Sequence, residues 1–459
     1  MDLHNRIVEY LSNRGAHYCD ARLERRYDLS IGIVNGEIKS VNEAYMKGIV
    51  VRVLIYDRWG YASTTDLSWD AVKSAGEKAL RMARSIGKGK KKIELEATAI
   101  TKNVKPPIQM DPRNIDLQEK IEAVLTLDNS QRNTDKRVVN SNTMYSESIM
   151  EFQLVNSLGG SLSWGEIRTR IGAYTIAAEQ GKMQYAYQVK DGTYGFELVK
   201  NLDLEAEGRK VAKKAVELLS ARKPPSGLMD VIMDPSVSGV LAHEVMGHAS
   251  EADEIVKGRS FLTGIVGKRV GSELVTMVDD GTVKGGNGTI PFDSEGTPSS
   301  KTIIIEKGVY KGYMHSLETA AIMGKKPTGN GRAQDFNRRI FVRMTNTFFE
   351  PGKWTLDEII EDTKEGLLAM DMLGGMEDPV GGGFECRVLR GYYIRNGEKQ
   401  YIVRGFTLTG KALEILKTVD ATSKEFRLHG GRCGKGEEDI VYVGVGGPYM
   451  RAKILVGGG

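Results

Sequence analysis

The sequence predicts an α+β protein whose first part is an α/β-type domain of mixed or antiparallel sheet with helices. Helical and alternating strand patterns succeed one another up to about residue 222. A proline-containing linker then interrupts the chain. Beyond the linker the chain is strand-like and rich in glycine, which predicts a curved sheet or barrel-like domain that carries one helix with two histidines.

The bulk composition is that of an ordinary soluble protein. With 459 residues the chain is long enough for two or three domains. Its net charge of +4 is small for this length, so no direct nucleic-acid binding is expected. The local basic run Lys88, Lys90, Lys91 and Lys92 is interpreted as a solvated loop.

Three further features predict a cytoplasmic protein. Three cysteines, an odd number spread far apart, argue against a disulfide framework and for a reducing compartment. The first residues lack the charged and apolar regions of a secretory signal. No apolar run approaches the roughly 18 residues that would span a bilayer, so no membrane association is expected.

Residues 1–105 predict an N-terminal α+β domain. Asn35-Gly36 is a strong hairpin signal because both residues tolerate the left-handed backbone of a tight turn. Apolar residues recur at helical spacing in two segments and favour strands in three. The predicted elements are helices over residues 3–14 and 66–85, and strands over residues 29–34, 37–41 and 48–56.

Residues 106–222 predict a middle α+β domain that begins at Pro106-Pro107. Its plan resembles that of the first 105 residues, which leaves open an internal duplication and a single lobe built from both parts. The predicted elements are helices over residues 117–127 and 204–219, and strands over residues 149–155, 160–164, 168–177 and 183–189.

Residues 228–459 predict a β-rich C-terminal domain, which follows the linker Pro224–Gly227. A short strand over residues 231–233 leads to Asp234 and Pro235, which are typical of a helix start. Asn396-Gly397 predicts a hairpin turn. The remaining elements are strands over residues 302–306, 308–313, 386–394 and 399–406, a helix over residues 409–419, and a glycine-heavy stretch over residues 372–383.

The predicted helix after Pro235 carries His243, Glu244 and His248. Two imidazoles can hold a divalent metal, and a neighbouring carboxylate can move a proton. At about 100° per residue, histidines at i and i+5 lie on different faces of a regular helix. One π-type turn of about 4.4 residues returns them to the same face. The motif therefore predicts a metal site with a distortion near Gly247.

A third ligand must come from elsewhere in the chain. The candidates are Cys433, His429, Cys386 and His315. Cys433 lies among glycines, in a segment expected to be a loop, beside a lysine whose charge would lower the pKa of the thiol. The apparent strand around Cys386 favours an ordinary buried thiol. The residues alone favour Cys433 over His429 as the third ligand, but they do not exclude His429.

Several motifs between residue 230 and the end resemble the TldD branch of the TldD/PmbA metalloprotease family. They occur in order along the chain, and residues 1–220 fit the family more loosely. The matching stretches are His243–Asp253, Val278–Thr282, Ser294–Pro298, Lys311–Met314, Pro327–Arg332, Arg343–Thr347, Cys433–Lys435 and Val443–Pro448.

The resemblance implies a zinc peptidase that acts on unfolded or extended peptides. It implies His243, His248 and Cys433 as the Zn²⁺ ligands and Glu244 as the catalytic acid/base. It also implies a dimer, either with a second copy or with a metal-free PmbA/TldE-like chain.

Two interpretations stay open beside the resemblance. The first is a non-catalytic, metal-containing regulatory or partner-binding subunit. In the second, Glu251, Asp253 or His429 would orient a metal ligand without binding the metal itself. Exposed helix carboxylates are the commoner situation for Glu251 and Asp253. The sequence leaves open the natural peptide and whether cleavage is internal or at the carboxyl end.

Overall fold

The computed structural model describes residues 3–85, 92–378, 380–436 and 440–458. Most of the lysine run at residues 88–92 lies outside these ranges. Among the residues that the structure describes, no helix is both long and apolar enough to cross a bilayer. The predicted α+β class is confirmed: helices and strands alternate along the chain and the strands form separate sheets.

Seven strands before residue 193 form the first sheet. Its order is β3-β2-β1-β5-β6-β4, with β7 beside β6, and all pairings except β4 with β6 are antiparallel. The strands are β1 (Tyr18–Val34), β2 (Glu37–Ile55), β3 (Arg58–Thr64), β4 (Thr101–Val104), β5 (Val138–Asn156), β6 (Ser161–Glu179) and β7 (Lys182–Gly192).

Helices cover one face of this sheet because one face of its long strands is apolar. In β1, Leu23 packs in a cluster with the first two helices, and Leu29 and Ile31 pack in a cluster with the later ones. These β1 residues alternate with polar ones, as expected for a strand buried on one side. The helices are α1 (Leu3–Ser12), α2 (Trp69–Ser85), α3 (Leu117–Arg132), α4 (Glu197–Lys200) and α5 (Leu204–Leu218).

The opposite face of the first sheet is charged and packs against the C-terminal part. Arg22 donates to the carbonyl oxygens of Ser294 and Asp335. The Arg52 guanidinium lies between the carboxylates of Asp20 and Glu295 and donates hydrogen bonds to both. Charged side chains therefore lie at a buried contact between the two parts of the chain.

The C-terminal part is built on a ten-stranded sheet in which five strands close into a ring. Strand β8 pairs with β15 and β19, and β15, β16, β17 and β19 pair successively. Its ten strands are β8 (Gly227–Met233), β9 (Met277–Asp280), β10 (Lys301–Glu306), β11 (Val309–Tyr310), β14 (Asn346–Phe349), β15 (Glu365–Asp378), β16 (Gly383–Arg395), β17 (Glu398–Lys411), β18 (Ala421–Cys433) and β19 (Val441–Gly457). Two further strands, β12 (Gly331–Arg332) and β13 (Phe341–Val342), pair with each other in a separate sheet.

One buried helical segment packs against this sheet and holds the histidine motif. It begins as α6 (Pro235–Val240), continues as a π-helical turn (Leu241–Gly247), and contacts β14, β15, β16 and β19. The remaining helices of the described C-terminal part are α7 (Ala252–Val256), α8 (Leu317–Met323), α9 (Leu356–Asp362) and α10 (Ala412–Lys417).

Several predicted boundaries differ from the structure. The two strands predicted over residues 160–177 form one strand, and β17 extends to Lys411, which shortens the helix predicted over residues 409–419. The glycine-heavy stretch up to residue 378 continues β15, because pairing with β16 outweighs the poor strand propensity of glycine. The predicted domain boundaries stay predictions.

Candidate metal centre

The helix of the candidate site starts at a side-chain cap. The Asp234 carboxylate accepts hydrogen bonds from the backbone N–H groups of Ser236 and Val237, and Pro235 occupies the first turn. Gly239 allows the helix to lie against β19, since a Cβ there would lie 2.5 Å from the Gly446 nitrogen. The cap and the close approach fix where the following residues lie.

The π-helical turn brings the two histidines together. The backbone N–H of His248 donates to the carbonyl of His243, five residues earlier. The ring centroids lie 5.1 Å apart with the planes at 77°. Gly247 lies within this turn, as the spacing predicts, and a Cβ there would lie 2.1 Å from the Met344 Sδ.

Strand β18 brings Cys433 to the two imidazoles. Its Sγ lies 3.3 Å from His248 Nε2, and the candidate ligand atoms of His243, His248 and Cys433 all lie within 4.8 Å of one another. A guanidinium N–H of Arg343 donates to the Cys433 carbonyl at 2.6 Å. The expectation of a loop at Cys433 is wrong, because this residue ends a strand that pairs with β19.

The other candidate third ligands lie elsewhere. His429 is four residues before Cys433 on the same strand, about 13 Å away along an extended chain. Cys386 is fully buried in β16, and burial raises the pKa of its thiol to about 12. The Nδ1 of His315 lies 3.3 Å from the Thr319 hydroxyl oxygen. Within the described residues, His243, His248 and Cys433 form the one such cluster of three or more potential ligands.

The electrostatics of the cluster favour a thiolate beside protonated imidazoles. Burial raises the pKa of Cys433, but the two histidines outweigh it and hold that pKa well below its ordinary value. Burial lowers the pKa of His248, whereas Glu251 and the Cys433 thiolate raise it well above its ordinary value. The pKa of His243 is raised as well, because Cys433 outweighs burial there. Metal binding at such a site would displace protons.

Glu251 lies beside the proposed ligand His248, as one of the interpretations left open by the sequence expects, and Lys435 binds Glu251, which no motif indicates. Glu251 is 1% exposed, and its Oε2 lies 3.3 Å from His248 Nδ1. The Lys435 ammonium donates to Glu251 at 2.8 Å and to Asp253 at 2.6 Å. The commoner expectation of exposed carboxylates at 251 and 253 is therefore wrong. The position of Lys435, two residues after Cys433, indicates its contact with Glu251 only once the fold is known.

Lys435 also acts differently from the sequence expectation. Its charge was expected to lower the pKa of Cys433, but its ammonium binds the two carboxylates instead. Burial raises the pKa of Glu251, and Lys435 and His248 together lower it to about 2. Glu251 is therefore a carboxylate that can accept a hydrogen bond from His248 Nδ1.

Glu244 directly follows His243 and lies against strand β15. A Cβ on Gly375 would lie 2.9 Å from the Glu244 Cγ, so glycine at this position leaves room for the Glu244 side chain. Glu244 is partly exposed, unlike its neighbours in the helix. A partly exposed carboxylate beside a cluster of potential ligands is a candidate proton acceptor.

Comparisons with known proteins agree with the motifs. The chain matches three family models: PmbA/TldA metallopeptidase domain 1 over residues 19–83, the central domain over residues 111–222, and the C-terminal domain over residues 226–458. The candidate ligands and Glu244 lie within the third segment.

Similar proteins cover almost the whole chain. A metalloprotease of Methanocaldococcus jannaschii is 37% identical over 96% of each chain. A metalloprotease TldD homolog of Haemophilus influenzae is 31% identical over 98% of this chain and 95% of its own. The crystal structure of TldE from Thermococcus kodakarensis shares the fold, with a TM-score of 0.79, 19% identity and coverage of 98% and 99%. The chain therefore belongs to the PmbA/TldD metallopeptidase family.

Proposed function

We propose that the protein is a zinc-dependent peptidase that hydrolyses peptide bonds of unfolded or extended peptides, with Glu244 as general base and acid. The convergence of His243, His248 and Cys433 beside Glu244 carries this proposal. Relatives over the full length are named metalloproteases, which supports a metallopeptidase activity.

The proposed ligands fit a zinc ion by their chemistry. Zinc prefers imidazole nitrogen and thiolate sulfur, and catalytic sites use three protein ligands. The His243 Nδ1 is buried and has no hydrogen-bond partner within the described chain, as expected of an atom that awaits a ligand or an ordered partner. The low pKa of Cys433 supplies the thiolate that such a metal requires.

In this proposal zinc, when bound, would polarise the scissile carbonyl and make water more acidic. Glu244 accepts a proton from the attacking water and returns it to the leaving amine, a transfer that contributes about 10²–10⁴-fold. Glu251 orients His248 by accepting from its Nδ1, and Lys435 holds Glu251 in place.

We further propose that an extended peptide adds as a strand to the edge of β15 beside Glu244. Strand β15 pairs with β8 only up to Ala369 and with β16 along its length. Residues 374–378 thus have no partner strand on the second side within the described chain. Main-chain pairing there would tolerate many side chains, which suits peptides of varied sequence.

The proposal is tested by metal content and by cleavage of an unstructured peptide. Glu244→Gln should keep the zinc of the parent but lose cleavage by about 10²-fold or more. Cys433→Ser should lose zinc and cleavage together. His429→Gln, on the same strand, is the matched control and should keep both.

Two outcomes would contradict parts of this proposal. Full cleavage by Glu244→Gln would remove Glu244 from its assigned role, and full zinc retention by Cys433→Ser would remove that ligand. A parent that binds zinc but cleaves no peptide would instead support the non-catalytic regulatory subunit. The predicted cytoplasmic location stays a prediction.

A further inference from the structure

Glycines surround the proposed ligand Cys433. Gly430 and Gly431 precede it, and Gly434 follows it directly. Glycine loses more conformational freedom on folding than any other residue, so this part of the backbone has little rigidity of its own. Strand β18, which ends at Cys433, forms a ladder with β19 alone among the strands that the structure describes. Contacts from outside this pair of strands are therefore needed to fix the end of β18.

One such contact comes from the first sheet, through Asp191 near the end of β7. The backbone N–H of Gly430 donates to the Asp191 Oδ1 at 3.0 Å. A Cβ on Gly430 would lie 2.2 Å from the same oxygen, so the contact requires glycine there. Asp191 therefore holds the backbone of β18 three residues before Cys433.

Asp191 is an expensive residue to keep in this position. Its side chain is 8% exposed, and its ion pair with Arg170 is long, at 3.8 Å. Its Oδ2 accepts no hydrogen bond within the described chain, and burial raises the pKa of this carboxyl. Buried charged groups with incomplete partners cost stability. Within the described chain, the hydrogen bond to β18 is the one that this carboxylate makes.

A second contact comes from Asn287, which is 6% exposed. Its side-chain Nδ2 donates to the carbonyl oxygens of Gly431 at 3.0 Å and of Val443 at 3.2 Å. These two residues lie opposite each other in the β18–β19 ladder. Arg168, in β6 of the first sheet, donates to the Asn287 carbonyl oxygen at 2.8 Å. The first sheet thus reaches β18 directly through Asp191 and indirectly through Asn287.

Both contacts are close enough to Cys433 to control its position. A strand advances about 3.3 Å per residue, so Gly430 and Gly431 lie about 7–10 Å before Cys433 along β18. A metal site needs its ligands held to within about 0.5 Å of their productive positions. A shift at the two glycines would therefore move the Cys433 Sγ relative to the two imidazoles.

We propose that Asp191 and Asn287 are positioning residues for the proposed metal ligand Cys433. They do not bind the metal; they hold Gly430 and Gly431 and so fix where the Cys433 Sγ lies. The first sheet thereby contributes to a metal centre whose ligands all belong to the C-terminal part. This inference rests on the proposed function, because it takes Cys433 as a ligand.

Zinc affinity and the absorption of the cobalt-substituted protein test this inference. Asp191→Ala and Asn287→Ala should each weaken zinc binding about 10–100-fold, as is typical when the partner of a metal ligand is lost. Both variants should also weaken the thiolate-to-cobalt charge-transfer absorption, because the Sγ is displaced. Asp191→Asn keeps an oxygen that can accept from the Gly430 N–H, so it should bind zinc like the parent.

The matched control separates position from stability. Asp203→Ala removes another hydrogen bond between an aspartate and a backbone N–H, that of Ala206 at 2.9 Å, at the start of α5. It should lower the stability of the fold but keep the zinc affinity and cobalt absorption of the parent. Hydrogen exchange of the metal-free protein gives a further readout: residues 426–433 should exchange faster in Asp191→Ala and Asn287→Ala, and unchanged in Asp203→Ala.

The outcomes distinguish this inference from the proposed function. Parent-like zinc affinity and cobalt absorption in both alanine variants, with zinc lost in Cys433→Ser, would overturn the inference alone. An equal loss of affinity in Asp203→Ala would overturn it as well, because stability would then explain the effect. A parent that binds no zinc, or full zinc retention by Cys433→Ser, would overturn the inference together with the proposed ligand set. The two alanine variants alter different residues, so a folding failure of one leaves the other as the test.

Discussion

At the scale of single residues, the candidate centre depends on a cation two positions after a proposed ligand. Cys433 reaches the two imidazoles, whereas Lys435 reaches Glu251 and Asp253. The Lys435 ammonium is nearly buried, with a side chain 10% exposed. Such a buried cation fixes the carboxylate that in turn orients His248.

Lys435→Met should weaken zinc binding about 10–100-fold, because Glu251 then loses the cation that positions it. Competition with a chromophoric chelator measures the affinity. Lys453→Met is the matched control, since its ion pair with Asp230 is exposed at 58% on the lysine side. Equal zinc affinity in parent and Lys435→Met would contradict a positioning role for Lys435.

His315 makes the fold sensitive to acid. Burial, together with Lys325, lowers the pKa of His315 to about 4. In the unfolded chain this imidazole has a pKa of about 6.5, so below that pH it is protonated in the unfolded chain but still neutral in the folded one. The free energy of unfolding therefore falls as the pH drops towards 4.

Replacing His315 by glutamine should reduce the loss of stability between pH 7 and pH 4.5 by about 1–3 kcal/mol. Urea denaturation at several pH values measures it. A pH dependence unchanged in His315→Gln would show that His315 is not the acid-sensitive group.

At the scale of elements, the π-helical turn decides whether the two histidines can meet. A regular helix would rotate His248 away from His243 by about 140°. The turn places Gly247 against Met344, which is 1% exposed and therefore held in the core. The absent Cβ at Gly247 is thus part of the geometry of the centre.

Gly247→Ala should cost about 1–3 kcal/mol of stability and weaken zinc binding, because its Cβ overlaps the Met344 Sδ. Chemical denaturation and zinc titration measure the two effects. Gly312→Ala is the matched control, since a Cβ there meets no atom of the described chain within 4 Å. The double variant Gly247→Ala/Met344→Ala should relieve the overlap; a metal affinity unchanged in Gly247→Ala alone would contradict this account.

At the scale of the whole molecule, a charged contact joins the first sheet to the C-terminal part. Arg52 contacts Asp20 at 2.5 Å and Glu295 at 2.9 Å, and both carboxylates are almost fully buried. When charged and apolar residues alternate along a strand, the charged side is usually the one that faces solvent. The second part of the chain covers that side instead.

Arg52→Leu should destabilise the protein by about 3–5 kcal/mol, because two buried carboxylates lose their common counter-charge. Denaturation by urea measures the change. Lys301→Leu removes an exposed ion pair with Glu350 and should change stability by less than about 0.5 kcal/mol. A similar small effect of Arg52→Leu would show that the contact adds little to the joining of the two parts.

Much of the chain could be predicted from local patterns. The α+β class, the hairpin at Asn35-Gly36, the helix start at Asp234 and the irregular turn before His248 all depend on residues close in sequence. The extent of strands was harder to predict, as at β15, because strand pairing is decided by a partner elsewhere in the chain.

The sequence by itself determined the order of elements, the need for a distorted helix and, through family motifs, the candidate residues. Only the tertiary structure decided that Cys433 meets His248 across 185 positions, that Glu251 is buried under Lys435, and that β8 and β15–β17 close a ring with β19. The physical reason is range: turns and caps arise from neighbouring residues, whereas ligand clusters, burial of charge and strand closure arise from contacts between distant ones.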